Sequence, residues 1–308
     1  MISKKNKLEK FKEIIFFSRK YFTIVVLLIC IFFFWKNINF VEYFNYISIK
    51  NLLYLTIFFF IFLFFESILF KKIIEPFIKI NLILSYNLTI VSYFLNLILP
   101  FSGIGFRYIF LKNNYNFSLK NMFFITAIFY IINFIILFLI LNFIFFFSEN
   151  PIMIIYKKII LYLIITLFFL IISSTFFLIK KINNIFIVYQ NKLIFLFLGL
   201  SFLMYSMFIL FIFLTINTFQ PTFNNIIAST LIAILIDLSL VVQILPVGIG
   251  SIELVFYNIL TNINFNQIEI VSIISLFRAV VHITTFILGT FLFYKYFNLS
   301  LKKIKKND

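Results

Sequence analysis

The chain has 308 residues, of which 64% are hydrophobic and only 12% charged, with a mean hydropathy of +1.14. A soluble domain carries about twice that charged fraction, so composition excludes one and leaves a polytopic membrane protein. Its long continuous apolar runs call for spanning helices rather than the short alternating segments of a barrel.

The net charge is +16, and lysines cluster near the two ends, at Lys4, Lys5, Lys7, Lys10 and Lys12, then at Lys302, Lys303, Lys305 and Lys306. Clusters of this kind beside spans set orientation and touch anionic headgroups, so they do not indicate a nucleic-acid partner. The 51 Phe, with abundant Ile, Asn and Lys, match the usage of an AT-rich genome, and Phe-rich stretches are discounted as functional signals.

Residues 1–20 read as a basic cytoplasmic N-terminus, 21–297 as the membrane domain and 298–308 as a basic cytoplasmic tail. Apolar runs near the spanning length of about 20 residues fall at 21–35, 51–70, 78–99, 122–147, 159–179, 193–216, 225–245 and 270–294. The first has the basic flank of a signal peptide. No small-residue cleavage site follows and Phe32-Phe33-Phe34-Trp35 ends the run, so it reads as a retained helix. Cys30, the only cysteine, lies within it, and one chain holds neither a disulfide framework nor a thiol-based metal site.

Two phrases interrupt the apolar sequence. Leu99-Pro100-Phe101-Ser102-Gly103-Ile104-Gly105 is followed by Arg107, and Leu245-Pro246-Val247-Gly248-Ile249-Gly250 is followed by Glu253. They hold four of the 6 Gly and two of the 5 Pro and stand nearly half a chain apart, which reads as two structural halves. Broken helix is tolerated in a membrane only where protein or a wet cavity surrounds it. Paired breaks in corresponding places point to a transporter's binding site. The fold expected is an all-α polytopic membrane helix bundle of about seven or eight spans, in two pseudo-repeated halves, each with a Pro/Gly-broken segment that either crosses or re-enters.

Lysine placement supports that expectation. If 78–99 crossed simply, Lys112, Lys120, Lys180, Lys181 and Lys192 would fall outside and the uncharged loop 216–224 inside, against the usual bias. If the chain dips in at Pro100 and returns to its side of entry, those lysines become cytoplasmic and the loop external. Lys157 and Lys158 then fall outside, the one feature against this arrangement. Residues 246–260, acting as a short broken crossing, bring the C-terminus to the cytoplasm as well.

Ionisable residues inside a span are costly and tend to have a role. Arg107 reads either as a phosphate or carboxylate anchor or as an interfacial residue reaching the headgroups beside Lys112. Glu253 opens a helix, where a carboxylate caps N–H groups; the alternatives are a proton or cation site, or a partner for Arg278. Arg278 and His282, the only histidine, are four apart and share a helix face. His282 is either a satisfied core residue or a proton relay. Arg278 calls for an acidic partner, Asp237 or Glu253. Asp237, mid-span, is either charge-paired structure or a transport site. Glu66, toward the end of its run, reads as interfacial. Asn81, Ser85, Asn87, Thr89, Ser92 and Asn96 make 78–99 polar enough to bond neighbouring helices or line a cavity. No zincin motif, phosphate-binding loop, nucleophile elbow or metal-binding carboxylate cluster occurs, and no catalytic residue, metal ligand or cofactor is assigned.

At these residues the chain resembles the lysylphosphatidylglycerol synthase membrane-domain family, also called flippase-like domain proteins. The first pattern is carried by Asn96-Leu97-Ile98-Leu99-Pro100-Phe101-Ser102-Gly103-Ile104-Gly105-Phe106-Arg107 and the stretch to Lys112. The second is Leu245-Pro246-Val247-Gly248-Ile249-Gly250-Ser251-Ile252-Glu253, with Leu276-Phe277-Arg278 beyond it. Phe106 stands where many members carry an acid, and Val247 replaces a usual Gly. Members with an aminoacyl-transferase domain carry it after the membrane region. This chain ends at Asp308, so lysyl-lipid synthesis is not expected of it alone.

The resemblance implies a multi-pass protein of the cytoplasmic (inner) membrane that binds a phospholipid or lipid-linked glycan and moves it between leaflets. Arg107 and Arg278 would hold the headgroup and Glu253 would compensate charge. Pro100 and Pro246 would break the helices; Gly103, Gly105, Gly248 and Gly250 would admit it close to backbone. Asp237, His282 and Asn96 remain as a polar or proton site. The competing readings are a scaffold for an envelope-biosynthesis enzyme, with structural charges, and a transferase using a lipid-phosphate donor with Glu253 as base.

Overall fold

The computed structural model describes residues 48–147, 191–222, 224–241 and 251–307. All regular structure among them is helical: α1 (Ile49–Ile74), α2 (Leu82–Ile98), α3 (Ser102–Tyr115), α4 (Leu119–Phe147), α5 (Asn191–Asn217), α6 (Asn224–Val241), α7 (Ser251–Thr261) and α8 (Gln267–Asn307). The expected spans 21–35 and 159–179 lie outside the described residues, as do Pro246, Gly248 and Gly250. Four helices, α1, α4, α5 and α8, contain stretches long and apolar enough to cross a membrane, while α2, α6 and α7 are shorter apolar helices. The fold is the helical membrane bundle expected. The last helix, α8, continues to Asn307.

Local chemistry explains the helix ends. The Ser48 hydroxyl accepts from the Asn51 N–H at 3.1 Å, and Asn81 Oδ1 accepts from the Leu84 N–H at 2.7 Å, each filling an orphan donor of a first turn. Asn266 and Glu269 cap α8 reciprocally: each side chain accepts from the other's N–H, at 2.8 and 2.9 Å. Left-handed Asn116 (φ 52°) and Asn264 (φ 68°) end α3 and lead out of α7, a conformation asparagine tolerates better than bulkier residues.

Ring contacts fix the helix directions. Phe59 and Phe62 of α1 meet Phe211 and Phe208 of α5, so these two run antiparallel. Phe59 also meets Tyr93, and Phe64 meets Tyr86, which makes α2 antiparallel to α1. Ser92 lies against Gly103 and Thr89 against Arg107, so α2 and α3 form a tight antiparallel hairpin. Asn87 bonds Tyr296 while Phe94 meets Phe286 and Phe293, so α8 runs antiparallel to α2. Two glycines permit close packing in this group. A Cβ at Gly103 would collide with the Ser92 backbone, and one at Gly289 would collide with Phe94.

These directions put Lys71, Lys72, Lys79, Lys112, Lys120, Lys192 and Lys295 at one end of the bundle. The hairpin α2–α3 enters from that end and returns to it. The α5–α6 and α7–α8 connections lie at the opposite end, with Lys50 and Glu269. Because α7 is antiparallel to α8, as Glu253 against Arg278 and Phe256 against Phe277 require, α6 and α7 run inward from that end and back. Two hairpins thus enter from opposite ends.

Candidate functional site

The first Gly phrase is the tip of the α2–α3 hairpin. Leu99 O accepts from the Ser102 N–H at 3.2 Å, with Pro100 and Phe101 between them. Phe101 has φ 60°, left-handed for a bulky side chain. The break closes on itself. Ser102 Oγ donates to Leu95 O and Leu99 O, each at 2.7 Å, and Asn96 Oδ1 accepts from the Gly103 N–H at 2.9 Å. Gly105 faces outward, with nothing within 4 Å of a Cβ built there. Gly103, by contrast, lies against the backbone of Ser92 on the hairpin's own α2.

Arg107 is buried and carries four contacts. Its Nε donates to Ser92 Oγ at 2.7 Å, and its Nη2 donates to Thr89 Oγ1 and Glu66 Oε1, both at 3.3 Å. The guanidinium carbon stands 4.5 Å from the Phe70 ring centre. Tyr93 Oη donates to Glu66 Oε2 at 2.8 Å. This corrects two expectations. Glu66 is not interfacial: it is 6% exposed, because α1 continues to Ile74 and the hairpin packs over it. Arg107 does not reach toward headgroups beside Lys112; it lies about two turns inside α3, at 8% exposure, against a carboxylate.

The second charged pair joins Arg278 to Glu253, one of the two acids open to it from sequence. Arg278 Nη2 lies 2.7 Å and Nε 2.9 Å from Glu253 Oε1, a two-pronged grip. Glu253 sits in the first turn of α7, where its charge also opposes the helix dipole. His282 Nε2 lies 3.1 Å from Arg278 Nη1. An arginine only donates, so Nε2 accepts and the proton of this neutral imidazole is on Nδ1. Asp237 is not the partner of Arg278. It accepts a hydrogen bond from Tyr205 Oη, and the tyrosine is buried completely.

A cavity of about 220 Å³ joins these groups. Glu66, Arg107, Asp237 and Arg278 all line it, with Tyr93, Tyr130, Tyr205, Asn96 and Asn133 among phenylalanine and aliphatic walls. It draws on α1, α2, α3, α4, α5, α6, α7 and α8. The polar residues of 78–99 bond neighbouring elements or line the cavity as expected, except Asn81, which caps α2 itself. Ser85 bonds Ser67 O, Asn87 bonds Tyr296, and Thr89, Ser92 and Asn96 serve Arg107 and the hairpin tip. Tyr93, Tyr130, Tyr205 and the Ser201–Asn133 bond at 2.8 Å were not singled out from sequence. Tyrosine is common here, with 16 copies, and only its placement beside buried carboxylates distinguishes these.

Residues 20–289 match the family model described as "Lysylphosphatidylglycerol synthase TM region". The match covers most of the chain, which belongs to that family. No curated protein and no solved structure matches it.

Proposed function

We propose that this member of the lysylphosphatidylglycerol synthase TM-region family binds the polar headgroup of a membrane lipid in the central cavity and carries it between leaflets. The observation that supports this reading is the convergence of two buried arginines, Arg107 and Arg278, on one cavity between hairpins that enter from opposite ends. Broken helices of opposed entry that meet around a cavity suit alternating access. Arginine is the natural ligand for a phosphate, and the mixed wall of phenylalanine and tyrosine suits the junction of headgroup and chain. The cargo is an anionic or sugar-bearing phospholipid or lipid-linked glycan.

The setting in this reading is the cytoplasmic membrane, with both termini in the cytoplasm. Seven described lysines at one end of the bundle support that orientation. The reading makes the protein a transporter rather than an enzyme. Glu253, the base that a transferase would require, is held by Arg278.

One observation favours the scaffold alternative, in which an envelope-biosynthesis enzyme is the partner: both arginines are already matched by carboxylates, as purely structural charges would be. Leaflet exchange in proteoliposomes separates the two. Purified protein is reconstituted with labelled phospholipids and polyprenyl-phosphate sugars, beside Arg278→Ala and Glu253→Gln. Selective exchange that both variants lose while remaining folded supports transport. No exchange of any lipid by folded wild-type protein shifts the reading to the scaffold.

A further inference from the structure

Among the described residues, the charges gathered at the cavity do not balance once Glu253, behind Arg278, is counted with those that line it. Arg107 is matched by Glu66 and Arg278 by Glu253, leaving Asp237 as the cavity-lining carboxylate that has no cation partner among the described residues. Among the described residues, no lysine lines the cavity. Of the elements packed against α6, α5 contributes Tyr205 and α4 contributes Tyr130. α7 contributes Glu253, gripped by Arg278, and the more exposed Tyr257. Tyr93, Glu66 and Arg107 line the same cavity from α2, α1 and α3. Counting the described residues, with every ionisable group in its ordinary state, the site is therefore negative by one charge before any lipid enters.

An anionic headgroup entering this cavity meets that surplus carboxylate in a poorly screened interior, where like charges repel strongly. We infer that Asp237 takes up one proton when an anionic headgroup binds, so that headgroup and proton enter the cavity together. This rests on the headgroup-binding reading above. The transfer is complete in itself: one proton from water joins an Asp237 carboxylate oxygen, the acid stays neutral while the phosphate is bound, and the proton leaves when the phosphate does. Tyr205 suits both states, since its hydroxyl donates to the carboxylate and can accept from the acid. Coupling of this kind is reciprocal: a bound proton strengthens headgroup binding as much as the headgroup strengthens proton binding.

The test is calorimetric titration of the full-length protein in neutral detergent with dihexanoylphosphatidylglycerol, an anionic short-chain lipid. Zwitterionic dihexanoylphosphatidylcholine serves as the control. Uptake of one proton makes the affinity for the anionic lipid fall by up to about tenfold per pH unit as pH rises, with a flat profile for the zwitterionic one. Asp237→Asn, which fixes the neutral state, flattens the anionic profile at the affinity that wild type shows in acid. Tyr205→Phe keeps the carboxylate but withdraws a donor that favours its charged form, so the pH dependence persists and moves to higher pH. Binding of the anionic lipid with a flat wild-type profile, or with the same slope in Asp237→Asn, would overturn proton coupling alone. Failure of the anionic lipid to bind at any pH would overturn the headgroup reading and the coupling with it.

Discussion

Glu66 and Arg107 lie on different helices, 41 positions apart, yet their side chains meet at 3.3 Å inside the bundle. The pair anchors the hairpin to α1: Glu66 belongs to α1, Arg107 to α3, and the α2 residues Thr89, Ser92 and Tyr93 supply the remaining hydrogen bonds. Removing one partner leaves the other charge buried without compensation, which costs about 3–5 kcal/mol.

Glu66→Gln should therefore destabilise the protein by about that amount, and Glu66→Gln combined with Arg107→Met should recover most of the loss. Unfolding in mixed micelles, followed by circular dichroism, measures both. Equal stability of the single and double variants would show that the ion pair does not hold the hairpin.

Close packing at Gly289 makes a second prediction. Gly289→Ala drives a Cβ into Phe94 where α8 crosses α2, an overpacking that costs about 1–3 kcal/mol. Gly105→Ala, where a Cβ meets nothing within 4 Å, should be neutral or gain up to about 1 kcal/mol of helix propensity. Thermal melts of the two variants side by side check the contrast. Comparable losses at both positions would contradict the packing described.

Much of this architecture is legible in the sequence, and the legible parts have simple causes. Pro100 with Gly103 marks a helix break, and the lysines at 112 and 120 favour a chain that returns to its side of entry. The partner of Arg278 narrows to Asp237 or Glu253 because buried charges need partners and few candidates exist; the choice between them is made by tertiary packing. Glu66 is not legible. Its neighbourhood reads as the end of a span, and only tertiary packing of a hairpin further along the chain buries it. Asp237 is visible as an intramembrane charge, but its tyrosine partner on another helix is not. Tyr205 is one of 16 tyrosines in a chain whose composition inflates aromatic residues. Pairwise contacts of this kind have no local period to reveal them.

A third prediction concerns the end of the bundle opposite the described lysine cluster. Gln220 Nε2 donates to Glu269 Oε1 at 2.7 Å, joining the α5–α6 connection to the start of α8, where Glu269 is buried and also caps the helix. Hydrogen bonds to a charged group contribute about 1.5–3 kcal/mol, so Gln220→Ala should cost within that range. Glu269→Ala should cost more, because the cap is lost as well. In a double-mutant cycle the two losses should fall short of additivity. Strict additivity would mean that the bond contributes nothing to stability.

The opposed entry of the two hairpins is open to a direct test of sidedness. Lys120 opens α4 at the lysine-bearing end, and Thr222 lies in the α5–α6 connection at the other end, both exposed. In a Cys30→Ser background, Lys120→Cys and Thr222→Cys are treated in intact cells with a membrane-impermeant thiol reagent. Thr222→Cys should react, and Lys120→Cys should react only after the membrane is opened. A simple crossing at α2 would instead carry Lys120 to the outer face, because a straight helix through Pro100 puts an odd number of passages between Lys79 and Lys120. Reaction of both cysteines in intact cells would remove the re-entrant hairpin. With it would go the geometry that brings Arg107 into the same cavity as Arg278.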